Sequence, residues 1–183
     1  MKEWRTISSQ LVFHRRRVRI LEDIVELPNG EQTDYLVLQG GEAVAVLPLT
    51  ADGAVVLTRQ YRYPVREFLL EMPGGGSMRG ESLEESARRE LREETGFLAG
   101  TMTYLGNFYP SPARSGIRVH VYVADDLQPG PSAHESHEFI EIEEIEWDRL
   151  VDMIVRNDIK DLTLSWAVLT LHARRQSERR ASL

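Results

Sequence analysis

Two Asx-Gly pairs punctuate the first third of the chain. Asn29-Gly30 and Asp52-Gly53 both tolerate the positive φ angles of a two-residue hairpin turn. The segments that flank them are rich in β-branched and aliphatic residues and are strand candidates: Val18–Leu27, Gln32–Leu38, Ala43–Leu49 and Ala54–Gln60. The pattern therefore predicts two consecutive β-hairpins, separated at Gly40-Gly41.

This separation divides the chain into two predicted parts. Residues 1–40 are expected to form a small N-terminal β segment, and residues 41–183 the main domain. A β segment of this kind either packs on its own domain or is exchanged with a partner subunit, and the sequence leaves both arrangements open.

The rest of the chain mixes strands with a few helices. Further strands are predicted at Leu69–Met72, Met102–Phe108, Arg118–Ala124 and Phe139–Ile145. Helices are predicted over 82–95, from about Asp148, and over Leu162–Arg175. Hairpins with few helices indicate an α+β fold, or a sheet sandwiched by helices, rather than a doubly wound parallel sheet.

Composition excludes several classes of function. The 183 residues include 29 acidic and 22 basic side chains, for a formal charge of −7, so we expect no nucleic-acid partner and no anionic membrane surface. The absence of cysteine excludes disulfides, thiolate metal sites and cysteine nucleophiles, and it fits a reducing compartment. No stretch approaches the roughly 20 apolar residues that cross a bilayer, so the sequence predicts a cytoplasmic protein.

The predicted helix over 82–95 places acids where a structural helix places apolar residues. At about 100° per residue, Glu90 and Glu94 fall on the same stripe as Leu83 and Ala87. An unpaired carboxylate that faces the interior is destabilising by roughly several kcal/mol unless a cation meets it. Glu93 lies beside this stripe, so three carboxylates can converge on one patch.

Two cations compete for these acids. Clustered carboxylates without cysteine favour Mg²⁺ or Mn²⁺. Arg89 can instead pair with Glu93, but such a surface pair is worth only about a few tenths of a kcal/mol, and one arginine cannot neutralise three acids. A solvated acidic face is the remaining alternative. Upstream, Gly74–Gly76 offers bare backbone for phosphate or metal, or simply forms a tight strand-to-helix turn.

The spacing of these residues matches the pattern G-x5-E-x7-R-E-U-x-E-E-x-G-U, where U is aliphatic or aromatic. Its fixed positions are filled by Gly75, Glu81, Arg89, Glu90, Leu91, Glu93, Glu94, Gly96 and Phe97. The chain thus resembles the Nudix hydrolases. The resemblance implies an α/β/α sandwich with a mixed β-sheet, and Mg²⁺-dependent hydrolysis of nucleoside diphosphates linked to another moiety, with Mn²⁺ as a substitute.

The resemblance also implies roles for individual residues. Glu90, Glu94 and the Gly74 carbonyl would bind the metal, and Glu93 would bind or support it. Arg89 would orient the glutamates by salt bridging. Glu81 would lie near the metal shell, although an acid just before a helix N-terminus is also favourable for electrostatic reasons alone.

The flanking residues resemble one branch of the family. The run Arg59–Pro64, the segment Glu71–Gly75 and Pro112 are similar to the ADP-ribose pyrophosphatase branch. This implies hydrolysis of ADP-ribose to AMP and ribose 5-phosphate, and a homodimer to which the N-terminal segment contributes. Ala113–Gly116 departs from the pattern of that branch and leaves the sugar preference open. GDP-mannose, a broad set of nucleotide sugars, or a non-catalytic sensing module remain as alternatives.

Further site residues follow from the same resemblance. A diphosphate makes arginine forks useful, so Arg62, Arg66 and Glu71 are the predicted substrate-binding residues. Members of this branch take the general base from a loop before the last sheet strand. Glu138 is the predicted base there, with Glu135 as the alternative.

Overall fold

The computed structural model describes residues 2–16, 18–130 and 139–181. The chain forms two compact units. The first comprises residues 1–42 and 109–118, and the second comprises 43–108 and 119–183. The assignment of residues 1–40 and 41–183 to separate domains stays a prediction.

The described residues form strands and helices in the following order. The strands are β1 (Arg5–Arg15), β2 (Val18–Glu26), β3 (Gln32–Leu38), β4 (Glu42–Pro48), β5 (Ala54–Arg62), β6 (Glu67–Glu71), β7 (Gly74–Gly76), β8 (Phe97–Phe108), β9 (Arg118–Pro129) and β10 (Ile140–Glu146). The helices are α1 (Leu83–Thr95), between β7 and β8, and α2 (Trp147–Val155) and α3 (Leu162–Ala181), after β10.

The first unit is an antiparallel sheet of order β1-β2-β3. The predicted turn between β2 and β3 forms, with Gly30 at a φ of 88°. The segment 109–118 is bound to this sheet, because the Tyr35 hydroxyl donates to the Ala113 carbonyl at 2.6 Å and the Leu38 amide donates to the Arg114 carbonyl at 2.8 Å. Every residue of β1 is exposed, and sequence analysis did not delimit this strand.

The second unit is built from two sheets, of order β10-β5-β6 and β7-β4-β9-β8. The turn at Asp52-Gly53 forms, with Gly53 at a φ of 89°, but the predicted hairpin across it is wrong, because β4 and β5 belong to different sheets and meet at the isolated bridge between Leu49 and Val55. Strand β4 is buried on both faces. Val44 and Val46 pack with Ala87 and Leu91 of α1. The alternate residues of β4, together with β5, pack against α2 and α3 through a second cluster that includes Ala45, Leu47, Leu57, Leu150 and Leu164.

Helices therefore cover the central strands from both faces, since the side chains of a strand alternate between its two sides. This arrangement confirms the predicted α+β fold and its helix–sheet–helix layering. No helix in the described ranges combines the length and the apolar character that a membrane span requires.

The structure contradicts one of the two interpretations of the glycine run, that of a tight strand-to-helix turn. Gly74–Gly76 forms strand β7, antiparallel to β4, with Gly74 opposite Ala45 and Gly75 opposite Val44. The turn into α1 comes later, where Gly80 has a φ of 95°. A Cβ atom on Gly74 would lie 2.4 Å from the Val44 carbonyl oxygen, so this close pairing requires glycine.

Candidate functional site

Helix α1 begins and ends where local chemistry predicts. The Ser82 hydroxyl accepts from the Glu85 amide at 3.1 Å, and the Glu85 carboxylate accepts from the Ser82 amide at 2.7 Å. This reciprocal pair is a capping box. Gly96 ends the helix in the left-handed region, with a φ of 73°. Both ends of the helix are therefore capped by residues within or next to it.

The acids of α1 lie at the border of its buried face. Ala87 and Leu91 are fully buried. The Glu90 side chain is only 13% exposed and that of Glu93 is 28% exposed. These glutamates are thus partly removed from water, as the helical spacing predicted.

Glu90 and Glu94 lie against the backbone of β7. A Cβ atom on Gly75 would lie 2.5 Å from Glu90 Oε1 and 2.9 Å from Oε2, so the carboxylate occupies the space that a side chain would fill. The Gly74 amide donates to Glu94 Oε2 at 3.3 Å. The structure brings together Gly74, Gly75, Glu90 and Glu94, which sequence analysis had assigned to one site.

Arg89 links the remaining acids of this region. Its guanidinium donates to Glu81 at 3.1 Å, to Glu90 at 2.8 Å and to Glu93 at 3.1 Å. It also donates to the Gly76 carbonyl at 3.3 Å. Burial lowers the pKa of Arg89, but the hydrogen bonds to Glu81 and Glu90 outweigh it, so the net pKa is raised and the guanidinium stays charged.

Glu81 is the second anchor of Arg89. Hydrogen bonds from Arg89 and then from the Ser86 hydroxyl hold the pKa of Glu81 below its usual range. We call Glu81, Glu90, Glu93 and Glu94 the acidic cluster. Arg92 also pairs with Glu93, at 3.4 Å, so two guanidinium groups meet four carboxylates and the cluster keeps a negative balance.

The donor chemistry of the acidic cluster fits a hard divalent cation. It offers carboxylate and backbone oxygens, which Mg²⁺ and Mn²⁺ prefer. No three carboxylate or imidazole groups in the described part of the chain converge closely enough to hold a metal ion as they stand. Because Arg89 bonds Glu90 and Glu93, a cation that approaches the cluster has to compete with that guanidinium.

A depression of about 180 Å³ adjoins these glycines. Its lining includes Arg62, Glu71, Gly74, Gly75, Asp161 and Thr163. Arg62 Nε donates to both carboxylate oxygens of Glu71 at 2.9 Å, and Arg62 Nη2 also contacts Glu71. We call this depression the Arg62 pocket.

Electrostatics connect the Arg62 pocket to the acidic cluster. The hydrogen bond to Glu71 raises the pKa of Arg62 against the effect of burial, and the charges of Glu94 and Asp161 raise it further. The Glu71 side chain is only 12% exposed. The predicted pair Arg62 and Glu71 therefore lies beside the predicted metal ligands.

Three other predicted residues are not placed in this site. Arg66 lies in the exposed turn between β5 and β6, with a φ of 59°, and its amide donates to the Arg62 carbonyl at 2.8 Å. It is not part of the lining of the Arg62 pocket. Glu135 and Glu138 lie outside the described residues. The roles of all three stay predictions.

Sequence analysis missed Asp161. Its Oδ1 atom accepts from the Leu164 amide at 2.7 Å, so it caps the N-terminus of α3. Burial, and then the charge of Glu71, raise the pKa of Asp161, while hydrogen bonds from backbone amides and the charge of Arg62 lower it to a smaller extent. An aspartate directly before the predicted start of a helix signalled the cap, but nothing local signalled its place beside Arg62.

Comparison with known proteins agrees with this geometry. The NUDIX domain family matches residues 41–164. An ADP-ribose pyrophosphatase of Bacillus subtilis (strain 168) is 31% identical over 168 residues, which cover 91% of each chain. A methanol dehydrogenase activator of Bacillus methanolicus is 34% identical over 161 residues, covering 87% of each chain. A crystal structure of an ADP compounds hydrolase superposes with a TM-score of 0.87, at 23% identity and 97% coverage of each chain. The predicted resemblance is thereby confirmed.

Proposed function

Because the chain belongs to the Nudix hydrolase family, we propose that it hydrolyses the diphosphate of a nucleoside diphosphate sugar. The observation that carries this proposal is the packing of Glu90 and Glu94 against the bare backbone of Gly74 and Gly75. The adjoining Arg62 pocket offers a guanidinium to the substrate.

ADP-ribose is the proposed substrate, with AMP and ribose 5-phosphate as products. Relatives named ADP-ribose pyrophosphatase, from Bacillus subtilis and Mycobacterium tuberculosis, support this choice. A relative named GDP-mannose pyrophosphatase keeps other nucleotide sugars as the second candidate. The relatives do not favour a non-catalytic sensing module.

Nudix hydrolases require a divalent metal, and we propose Mg²⁺, with Mn²⁺ as a substitute. Glu90, Glu93, Glu94 and the Gly74 carbonyl would hold it. When bound, such an ion neutralises the diphosphate and lowers the pKa of a coordinated water.

The protein's own side chains would orient the metal ligands and the substrate, and would remove a proton from the attacking water. Arg89 holds the carboxylates of Glu90 and Glu93 in position through its hydrogen bonds. Arg62, fixed by Glu71, presents donors to the phosphate oxygens. Glu138, or Glu135 in its place, would remove the proton of the attacking water. In-line attack on one phosphorus then releases the monophosphate and the sugar phosphate.

Two further properties belong to this proposal. Homodimerisation through the first unit is supported by its exposed apolar side chains, among them Trp4, Phe13 and Leu36. A cytoplasmic location is supported by the absence of cysteine.

Product chromatography over a panel of nucleotide sugars tests the activity. With Mg²⁺, we expect ADP-ribose to yield AMP and ribose 5-phosphate, and chelation with EDTA to abolish turnover. A panel that shows binding without any metal-dependent product would contradict the proposal and would restore the sensing alternative.

A further inference from the structure

The charged side chains that line the Arg62 pocket have a net negative charge, which disfavours an additional phosphate group there. Among its lining residues in the described chain, Glu71 and Asp161 carry negative charge and Arg62 carries positive charge. Glu71 already engages Arg62 through the Nε–Nη2 edge of the guanidinium. A further phosphate at this position would meet the charge of Asp161 without a second cation to offset it.

Asp161 retains capacity to accept hydrogen bonds. A carboxylate offers about four acceptor positions, and backbone amides at the start of α3 use only part of them. Thr163 lines the same pocket, and a threonine hydroxyl can both donate and accept. A carboxylate beside a hydroxyl suits the vicinal hydroxyls of a neutral sugar.

The position of these groups relates them to the rest of the substrate. Gly74 and Gly75 form one wall of the Arg62 pocket and also support the acidic cluster. A substituent that extends from a diphosphate at the cluster past Gly74 and Gly75 enters the pocket that Asp161 and Thr163 line. For a nucleotide sugar that substituent is the sugar, whereas for a nucleoside triphosphate it is a phosphate.

We propose that Asp161 and Thr163 recognise the hydroxyls of the sugar attached to the diphosphate, and that Asp161 excludes substrates that carry a further phosphate there. The inference rests on the proposed function, from which it takes the binding of the diphosphate at the acidic cluster. It assigns specificity to two residues at the start of α3.

The variant Asp161→Asn tests this role, because asparagine caps a helix as well as aspartate does. The matched control is Asp158→Asn, which removes the same charge from an exposed residue that pairs with Arg156. For each protein we would measure kcat/KM for ADP-ribose and the inhibition constant of ATP, which carries a phosphate in place of the sugar.

Asp161→Asn is expected to lower kcat/KM for ADP-ribose about ten-fold, as loss of a charged hydrogen-bond acceptor does. The inhibition constant of ATP is expected to fall, because a repelling charge is gone. The control should stay within about two-fold of the wild type for both ligands. A merely structural role would weaken both ligands together, and that result would overturn the inference.

Thr163→Val provides a second variant should Asp161→Asn fail to fold. It should lower kcat/KM for ADP-ribose and leave ATP inhibition unchanged. If the wild-type enzyme turns over ADP-ribose but neither variant changes kcat/KM for ADP-ribose relative to the inhibition constant of ATP, only this inference is overturned. A wild-type protein without turnover of any nucleotide sugar contradicts the proposed function itself.

Discussion

Glutamine has nearly the shape of glutamate, so it can take the position of Glu94 without its negative charge. The Glu94 carboxylate accepts from the Gly74 amide and contributes to the charge around Arg62. A glutamine can keep the hydrogen bond from Gly74 but supplies no negative charge to a cation. This separates its structural role from its proposed chemical role.

Glu94→Gln should therefore lower kcat by about 10²-fold or more while the protein stays folded, as expected for loss of a group that binds a catalytic metal. Steady-state turnover of ADP-ribose and circular dichroism measure the two effects. Glu84→Gln is the matched control, since Glu84 lies on the exposed side of α1 and pairs with Arg88. Full activity of Glu94→Gln would remove the proposed metal site.

Arg89 makes a different kind of contribution, because it bridges like charges. Glu81, Glu90 and Glu93 all accept hydrogen bonds from one guanidinium that is 13% exposed. Without that cation the carboxylates repel each other.

Arg89→Gln should lower the thermal unfolding midpoint in EDTA by several degrees. Added Mg²⁺ should then raise that midpoint more than it does for the wild type, because a ligand that binds only the folded state stabilises it by mass action. Differential scanning fluorimetry with and without Mg²⁺ measures both changes. An equal Mg²⁺ response in the two proteins would show that Arg89 and the metal do not share the same glutamates.

Among the elements, α1 and β7 form one functional unit although their sequence signals differ. The bounds of α1 follow from Ser82, Glu85 and Gly96, which act locally. Strand β7 has no side chains and hence no periodicity, so its pairing with β4 was not predictable from its own residues. The three glycines nevertheless meet different surroundings.

A series of glycine-to-alanine variants separates these surroundings. Gly74→Ala should destabilise the fold by about 1–3 kcal/mol, because its Cβ would meet the Val44 backbone. Gly75→Ala should unfold at nearly the wild-type temperature but lose activity, because its Cβ displaces only the Glu90 carboxylate at the end of a flexible side chain.

Gly76→Ala is the internal control of this series, since a Cβ atom on Gly76 would meet no neighbouring atom within 4 Å. It should preserve both stability and turnover. Chemical denaturation and ADP-ribose hydrolysis give the two measurements. Equal effects of all three substitutions would contradict the proposed separation between sheet pairing and ligand geometry.

At the scale of the whole molecule, the first unit leaves several large apolar side chains of its sheet exposed. Phe13 is 47% exposed, Leu36 is 57% exposed and Leu38 is 37% exposed, and the strand register puts all three on one face. Exposed apolar groups of this size on a three-stranded sheet are typical of an interface between chains.

Phe13→Asp should reduce the solution mass from that of two chains to that of one, 21.0 kDa, because a charge would be buried in the proposed interface. Light scattering coupled to size exclusion measures the mass. Leu98→Asp, on the exposed part of β8, is the control and should leave the mass unchanged. A wild-type mass of one chain would contradict the proposed homodimer.

The sequence by itself determined the β2–β3 hairpin, the turn at Gly53, the bounds of α1 and the position of Glu90 and Glu93 at the border of its buried face, because turn residues, caps and helical spacing act over a few neighbouring positions. Tertiary structure alone decided that β7 pairs with β4, that segment 109–118 joins the first sheet, and that Asp161 lies beside Arg62. These contacts join residues far apart in the chain, so their positions depend on how whole elements pack and not on any local pattern.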